Sequence, residues 1–355
     1  MSTEDATTGV RATLRLTTRC VNRCIFCAQD GLPHDDADEP ESTLCALRRS
    51  ADEITFTGGE PSTAARLVEL VAQARTLGFR KIGLQTNAAG FAGVKLVEQV
   101  VEAGLTDAHL SIHGGTAAVH DYHTGREGSF SALHDAAARL RRLGVELVAT
   151  TVLTRSNFRV LASIPPLLTR MGIAAWAVTL PVTAGRAADR FDRVVPRLGL
   201  ALPFALHTLA SARALGIPVA LVGAPLCALG PNDALVLPSA PRTFAEPCAS
   251  CGVRQRCVGV DAAYLERFGV EELRPRESAS ATAPPIPPRL ARMFVGIGEL
   301  VQRELSLPPP PARVRGSLPI LGKARPAVGE ARGRAAAQTG SDLRELFPGL
   351  FDAED

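Results

Sequence analysis

From Val10 to about Pro181, short β-rich runs alternate with helical stretches, the order that builds parallel strand–helix–strand units. The strands are expected at Arg11 to Leu16, Glu53 to Phe56, Lys81 to Gln85, Asp107 to Ile112, Val145 to Val152 and Trp176 to Leu180. Helices are expected between them at Thr43 to Arg49, Ala64 to Leu77, Val94 to Ala103, Phe130 to Leu143 and Val160 to Arg170. Several are amphipathic, and Gly78, Gly104 and Gly144 stand where helices end. Six repeats of this kind must bury both faces of a parallel sheet, as an open doubly wound sheet or a complete or partial barrel. Either architecture places its chemistry at the carboxyl ends of the strands.

Beyond residue 200 the pattern changes. A helix near Pro203 to Leu215 and a strand-like run, Ile217 to Val222, lead into a glycine- and proline-rich region that reads as a second, smaller module. From Pro275 the chain turns to proline, alanine, arginine and serine, including Pro308 to Pro311, and reads as linker or disordered tail. One helix is expected in it, around Ala291 to Leu305, and the acidic and apolar end, Asp342 to Phe351, offers a candidate docking helix. The boundaries expected are 1–9 for an amino-terminal tail, 10–200 for the α/β unit, 201–274 for the second module and 275–355 for the tail.

Composition narrows the picture mainly by exclusion. The 355 residues are 46% hydrophobic with a formal net charge of +3, which offers no electrostatic footprint for nucleic acid or an acidic membrane surface. The start, MSTEDATTGV, lacks the basic head and apolar run of a secretory signal, so a cytoplasmic protein is expected. The apolar runs Ile173 to Val182 and Ile217 to Leu229 are shorter than the roughly 20 residues that cross a bilayer, and no membrane segment is expected.

The eight cysteines change the picture more. Seven fall in two groups, Cys20, Cys24 and Cys27 near one end and Cys227, Cys248, Cys251 and Cys257 near the other. In a reducing compartment, tight cysteine groups read as metal or cluster ligands sooner than as disulfides. Three thiolates on one loop directly after the first strand can hold three irons of a four-iron cluster and leave one iron open to an exogenous ligand. A zinc knuckle short of its fourth ligand, or three reduced structural cysteines, are the alternatives, and no suitable histidine follows closely. Cys45, alone on its expected helix, reads as a small buried hydrophobe.

The run Cys20-Val-Asn-Arg-Cys24-Ile-Phe26-Cys27 resembles the hallmark of the radical S-adenosylmethionine superfamily: cysteine, three residues, cysteine, two residues, cysteine, with an aromatic before the last. The resemblance covers roughly Val10 to Val182 and implies a partial (β/α)6 TIM-type barrel, open on one side. It further implies two cofactors, a 4Fe-4S cluster and S-adenosylmethionine chelated to its open iron. One electron breaks the sulfonium bond, and the resulting 5′-deoxyadenosyl radical abstracts hydrogen from substrate, so an external electron donor such as flavodoxin or ferredoxin is implied. Gly58-Gly59-Glu60-Pro61 after the second strand is similar to the family's glycine-glycine-glutamate-proline motif, whose backbone and glutamate meet the methionyl amino group. A glycine pair there also lets backbone approach a ligand closely. Thr86-Asn87, then Ser111 and His113, then Val152 stand at the ends of the next three strands, where the family binds ribose, carboxylate and adenine; each equally suits a turn, a cap or the core. His113, His120 and His123 gather in one loop as candidate acids or bases or as loop-bonding residues.

The second group, Cys227 with Cys248-x2-Cys251-x5-Cys257, supplies four thiolates and so closes a cluster completely. It resembles the auxiliary-cluster extensions called twitch and SPASM modules, but has four cysteines where a full SPASM module has seven, which implies one auxiliary 4Fe-4S cluster. A four-cysteine zinc site is the alternative. Gly259 and Tyr264 are expected to turn and to pack. The resemblance points to a peptide or natural-product precursor as substrate, with a small biosynthetic intermediate, an RNA substrate and a non-catalytic iron–sulfur protein as alternatives. Because Cys20 lies so near the start, no leader-binding domain is expected ahead of the barrel, and a peptide would need a separate recognition protein.

Overall fold

A computed structural model describes residues 9–32, 37–239, 242–280 and 284–296. Contacts divide the chain into Met1–Pro308 and Pro309–Asp355, and the second unit lies outside the described residues, as do most of the helix expected up to Leu305, the run Pro308 to Pro311 and the candidate docking helix.

Eight strands, all parallel and in sequence order, form one curled sheet: β1 (Arg11–Thr17), β2 (Glu53–Gly58), β3 (Lys81–Thr86), β4 (Asp107–Ser111), β5 (Glu146–Val152), β6 (Ala175–Thr179), β7 (Val219–Val222) and β8 (Val236–Leu237). The helices are α1 (Pro40–Arg48), α2 (Leu67–Thr76), α3 (Val94–Ala103), α4 (Ala117–Thr124), α5 (Ser129–Arg142), α6 (Ile164–Met171), α7 (Gly185–Asp189), α8 (Phe191–Val194), α9 (Leu198–Ala214), α10 (Ala262–Phe268) and α11 (Pro288–Arg292). The partial TIM-type barrel is therefore present, with two strands more than the six repeats predict. The expected strand at Ile217 to Val222 is β7; it pairs with β6 through Trp176 opposite Val219 and Thr179 opposite Val222, and β8 pairs with it in turn.

The period of two along each strand separates two environments. Outward residues such as Leu14, Ile54, Phe56, Leu84, Leu110 and Trp176 pack under the helices in the main core. Inward residues near the amino ends of β1 to β5 are largely polar. Arg11 Nε donates to Glu53 at 2.9 Å, and its two Nη groups reach Asp107 at 2.7 and 3.1 Å. Gly83 leaves the room, since a Cβ there would stand 2.5 Å from Asp107 Oδ1. Nearer the middle, His109 Nε2 bonds Thr150 Oγ1, and burial pushes the His109 pKa down to about 3.

Residues 284–296, expected to be linker, instead close this end of the barrel. Ile286, Leu290, Met293 and Phe294 pack on the inward Val148, Ala175, Ala177, Ala220 and Val222. Arg292 Nε meets Glu53 at 3.2 Å, and Arg289 pairs with Glu146 at 2.5 Å.

Two further expectations are corrected. Cys45 is exposed, because α1 starts at Pro40 and its phase turns Leu44, not Cys45, into the core. Helix α9 begins five residues before Pro203 and carries that proline inside it, its first turn held by the Leu198 amide donating to Tyr264 Oη at 2.8 Å. The stretch Phe191–Ala214, with mean hydropathy 1.3, is long and apolar enough to cross a membrane by length and composition; half of it is buried in the fold, where Leu198, Ala201, Leu202, Ala205 and Leu209 face the core.

Candidate cofactor and cluster site

The cysteine loop leaves β1 at Thr18 and is held from three sides. The Gly58–Glu60 turn holds its start: the Gly59 amide donates to Thr17 O at 2.7 Å and the Glu60 amide to Arg19 O at 2.8 Å. The glycine pair is required by this crossing. A Cβ on Gly58 would lie 2.1 Å from Thr17 O, and one on Gly59 2.2 Å from Arg19 O, so the close approach is first to the chain's own backbone. The end of α4 holds the middle, through the Arg23 amide to Thr124 O at 2.8 Å and the Ile25 amide to His123 O at 2.9 Å. Arg186 of α7 holds the end: its amide reaches Cys27 O at 2.9 Å, Nη1 donates to Cys24 O at 2.7 Å, and Nη2 pairs with Asp30. Sequence reasoning passed over Arg186; a lone arginine some 160 residues downstream carries no local signal.

Glu60 is fully buried. Its carboxylate accepts from the Ser62 amide at 2.9 Å, the Thr86 hydroxyl and the Asn87 amide at 2.6 Å. Burial pushes its pKa up against those bonds. Its direct partners are thus the turns after β2 and β3, and it sets the position of the Gly59 backbone and of Asn87. Asn87 Nδ2 in turn donates to Cys20 Sγ at 3.3 Å.

These turns enclose a cavity of about 540 Å3 at the carboxyl ends of the strands. Cys20, Cys24, Cys27, Gly58, Gly59, Glu60, Thr86, Asn87, Ser111, His113 and Val152 all line it, together with Phe26; Pro61 is buried in the turn beneath. The unpredicted members include Asn22, Gln85, Thr150, Thr179, Ser239 and Arg242. Both polar atoms of the buried Asn22 side chain lack a partner. Burial raises all three thiol pKa values, Cys20 to about 11, while the Arg186 charge pulls Cys24 and Cys27 back down. Thiolates here therefore need a cationic ligand, and three thiols beside a roomy cavity with both polar and apolar walls fit a cluster plus a cofactor of S-adenosylmethionine's size.

The three histidines bond within the fold, His120 and His123 from α4 rather than from one loop with His113. His113 Nδ1 accepts from the Val152 amide at 3.4 Å and its ring meets Phe26 edge-on at 4.5 Å. His120 Nδ1 accepts from the His113 amide at 3.2 Å, and His123 lies 2.6 Å from Val119 O and 2.9 Å from Thr154 Oγ1. Burial lowers all three pKa values, that of His120 to about 4, so each is neutral near pH 7. Asn157, unforeseen, ties the ends of β4 and β5 through Val152 O and His113 O.

Cys227, Cys248, Cys251 and Cys257 line one second cavity, walled by Pro225, Phe244, Pro247, Val253 and Leu273. The Gly259 amide points at Cys257 Sγ (3.4 Å) and the Arg276 amide at Cys251 Sγ (3.5 Å). Gly259 turns and Tyr264 packs, its hydroxyl bonded to Leu198 and Glu272, as expected. Among the described residues no three His, Cys, Asp or Glu side chains converge tightly enough to hold a single metal ion; the two thiol sets ring wider spaces.

A curled parallel half-barrel with three cysteines and a glycine-rich turn at its carboxyl end defines the class. Within it, residues 14–158 match the model of the Radical SAM superfamily. Over 142 residues the chain is 37% identical to the AdoMet-dependent heme synthase of Oleidesulfovibrio alaskensis, covering 40% of this chain and 36% of that protein. Over 150 residues it is 33% identical to the PqqA peptide cyclase of Xanthomonas euvesicatoria pv. vesicatoria, covering 41% and 40%. The chain thus spans about two-fifths of the length of these curated relatives. Among solved structures, Streptococcus suis SuiB bound to its precursor peptide SuiA has the same fold, with a TM-score of 0.50 and 14% identity over 60% of this chain and 48% of that one. The family match and the two curated relatives, both named for enzyme activities, support an enzyme of the radical SAM class.

Proposed function

We propose that the protein reductively cleaves S-adenosylmethionine and uses the resulting 5′-deoxyadenosyl radical to take hydrogen from a peptide or natural-product precursor. The observation that carries this is the convergence on one cavity of three cysteines with the Gly58–Glu60 and Thr86–Asn87 turns. When bound, a 4Fe-4S cluster held by Cys20, Cys24 and Cys27 supplies the electron and chelates the methionine moiety at its open iron. The chain's own work is placement and exclusion of water. Arg186, Thr124 and His123 fix the cysteine loop, Glu60 fixes the turn whose backbone would hold the methionyl group, and Asn87 donates to the sulfur of Cys20. Ser111, His113 and Val152 line the wall suited to ribose and adenine, with His113 neutral.

Cys227, Cys248, Cys251 and Cys257 are assigned a second, fully ligated cluster. Four thiols around an apolar-walled space, with amides directed at two sulfurs, suit a cluster whose potential is set by burial and hydrogen bonds. Held by all four cysteines, such a cluster would have no open iron and would supply electron transfer. The peptide reading draws on the relative named PqqA peptide cyclase and on SuiB. A small biosynthetic intermediate is the second reading, favoured by the higher identity to a protein named heme synthase. An external donor such as flavodoxin or ferredoxin would deliver the electron, and a separate protein would present a peptide.

Anaerobic reconstitution followed by iron counting and paramagnetic resonance tests the assignment. Two four-iron clusters are expected, with iron roughly halved when either cysteine group is changed to alanine, and only the signal of the Cys20 group shifting on addition of S-adenosylmethionine. Zinc in the second site would remove the auxiliary-cluster half of the proposal.

A further inference from the structure

The wall of the cavity formed by β6 to β8 carries two polar groups that the cofactor reading leaves unused. Arg242 Nε is buried without a hydrogen-bond partner, and so is Ser239 Oγ; both residues line the cavity. The guanidinium lies over the turn after β7, where a Cβ on Gly223 would come within 2.5 Å of Nη2, so the glycine makes the room that the arginine occupies. Its backbone is fixed, the Arg242 amide donating to Val258 O at 2.7 Å.

Among the described residues no carboxylate pairs with it. Asp261, the acid whose charge it feels, accepts from Thr183 Oγ1 and from the Ala263 amide at 3.0 Å and forms no ion pair with Arg242. The other acids lining the cavity are also engaged, Asp30 with Arg186 and Glu60 with its three donors. A buried guanidinium nitrogen without a partner is costly unless a ligand supplies one, and the planar fork of the group matches a carboxylate.

We propose that Arg242 and Ser239 form a carboxylate subsite, and that the substrate enters this cavity carrying a carboxylate that docks there. The proposal rests on the radical-enzyme reading of the cavity, and it adds a substrate class: a peptide with an acidic side chain or free carboxyl end, or a carboxylated metabolite. The methionine carboxylate of S-adenosylmethionine is the other source of the same chemistry. The cysteine loop and the turns after β2 and β3 hold the cofactor's proposed place, whereas Arg242 sits at the end of β7, four strands further round the sheet.

The test uses the full-length, anaerobically reconstituted protein, saturated with S-adenosylmethionine, and fluorine magnetic resonance with trifluoroacetate as carboxylate probe and trifluoroethanol as neutral control. Saturable binding of trifluoroacetate but not trifluoroethanol is expected, weakened on the order of tenfold in Arg242→Gln, less in Arg242→Lys, which keeps the charge, and severalfold in Ser239→Ala. Equal binding by the wild type and Arg242→Gln would overturn the proposal. So would binding of the probe only when S-adenosylmethionine is left out, which would give Arg242 to the cofactor. Retention of S-adenosylmethionine in equilibrium dialysis, measured in parallel, reports on the radical-enzyme reading alone, so the two fail separately.

Discussion

Glu60 shows how little a motif says about a residue's partners. Its place in Gly58-Gly59-Glu60-Pro61 brings it to the cavity, but its carboxylate is engaged by Ser62, Thr86 and Asn87, partners that only the fold brings close. Cys20, Cys24 and Cys27 were legible because a dense local spacing needs no tertiary information. Arg186 and Arg242 were not, since isolated arginines look like solvated surface until burial is known. The four buried histidines carry a prediction. His109, His113, His120 and His123 are neutral in the fold, with pKa values below the ordinary 6.5, and gain protons on unfolding. Their contribution is complete above about pH 6.5 and is lost as pH falls towards about 4. Urea midpoints of the cluster-free protein should therefore drop between pH 7 and pH 5, and less steeply in His120→Gln. A flat profile would mean that these rings titrate in the folded state.

At the level of elements, the first six strands were readable because each is short, β-rich and separated from the next by a helical stretch. β7 and β8 were not assigned to the sheet, being four and two residues long and lying beyond the long α9. The charged residues Arg11, Glu53, Asp107 and Glu146 open or nearly open their strands, where charge ordinarily signals solvent; here they meet one another and the arginines of 284–296. That segment was mistaken for linker because proline-rich composition masks its apolar residues, Ile286, Leu290, Met293 and Phe294. Phe294 lies 5.2 Å edge-on from His109, beneath the cavity floor. Phe294→Ala should cost about 3 kcal/mol in chemical denaturation, as for a large buried aromatic. A change under about 1 kcal/mol would show that the segment is not seated as a plug.

In the whole molecule, the matched domain at 14–158 supplies the cysteine loop, the glycine turn and the first five strands, while β6 to β8 and the second cysteine group lie beyond it. This division follows the chemistry proposed. The matched part holds every group assigned to the first cluster and the cofactor except Arg186, and the later part adds Arg242 and a site for electron transfer. What all these readings need is the cleavage itself. The reconstituted protein, incubated anaerobically with strong reductant and S-adenosylmethionine, is predicted to form 5′-deoxyadenosine and methionine, and Cys24→Ala to form neither. A reduced protein with its first cluster intact and S-adenosylmethionine bound that yields no 5′-deoxyadenosine would contradict the account.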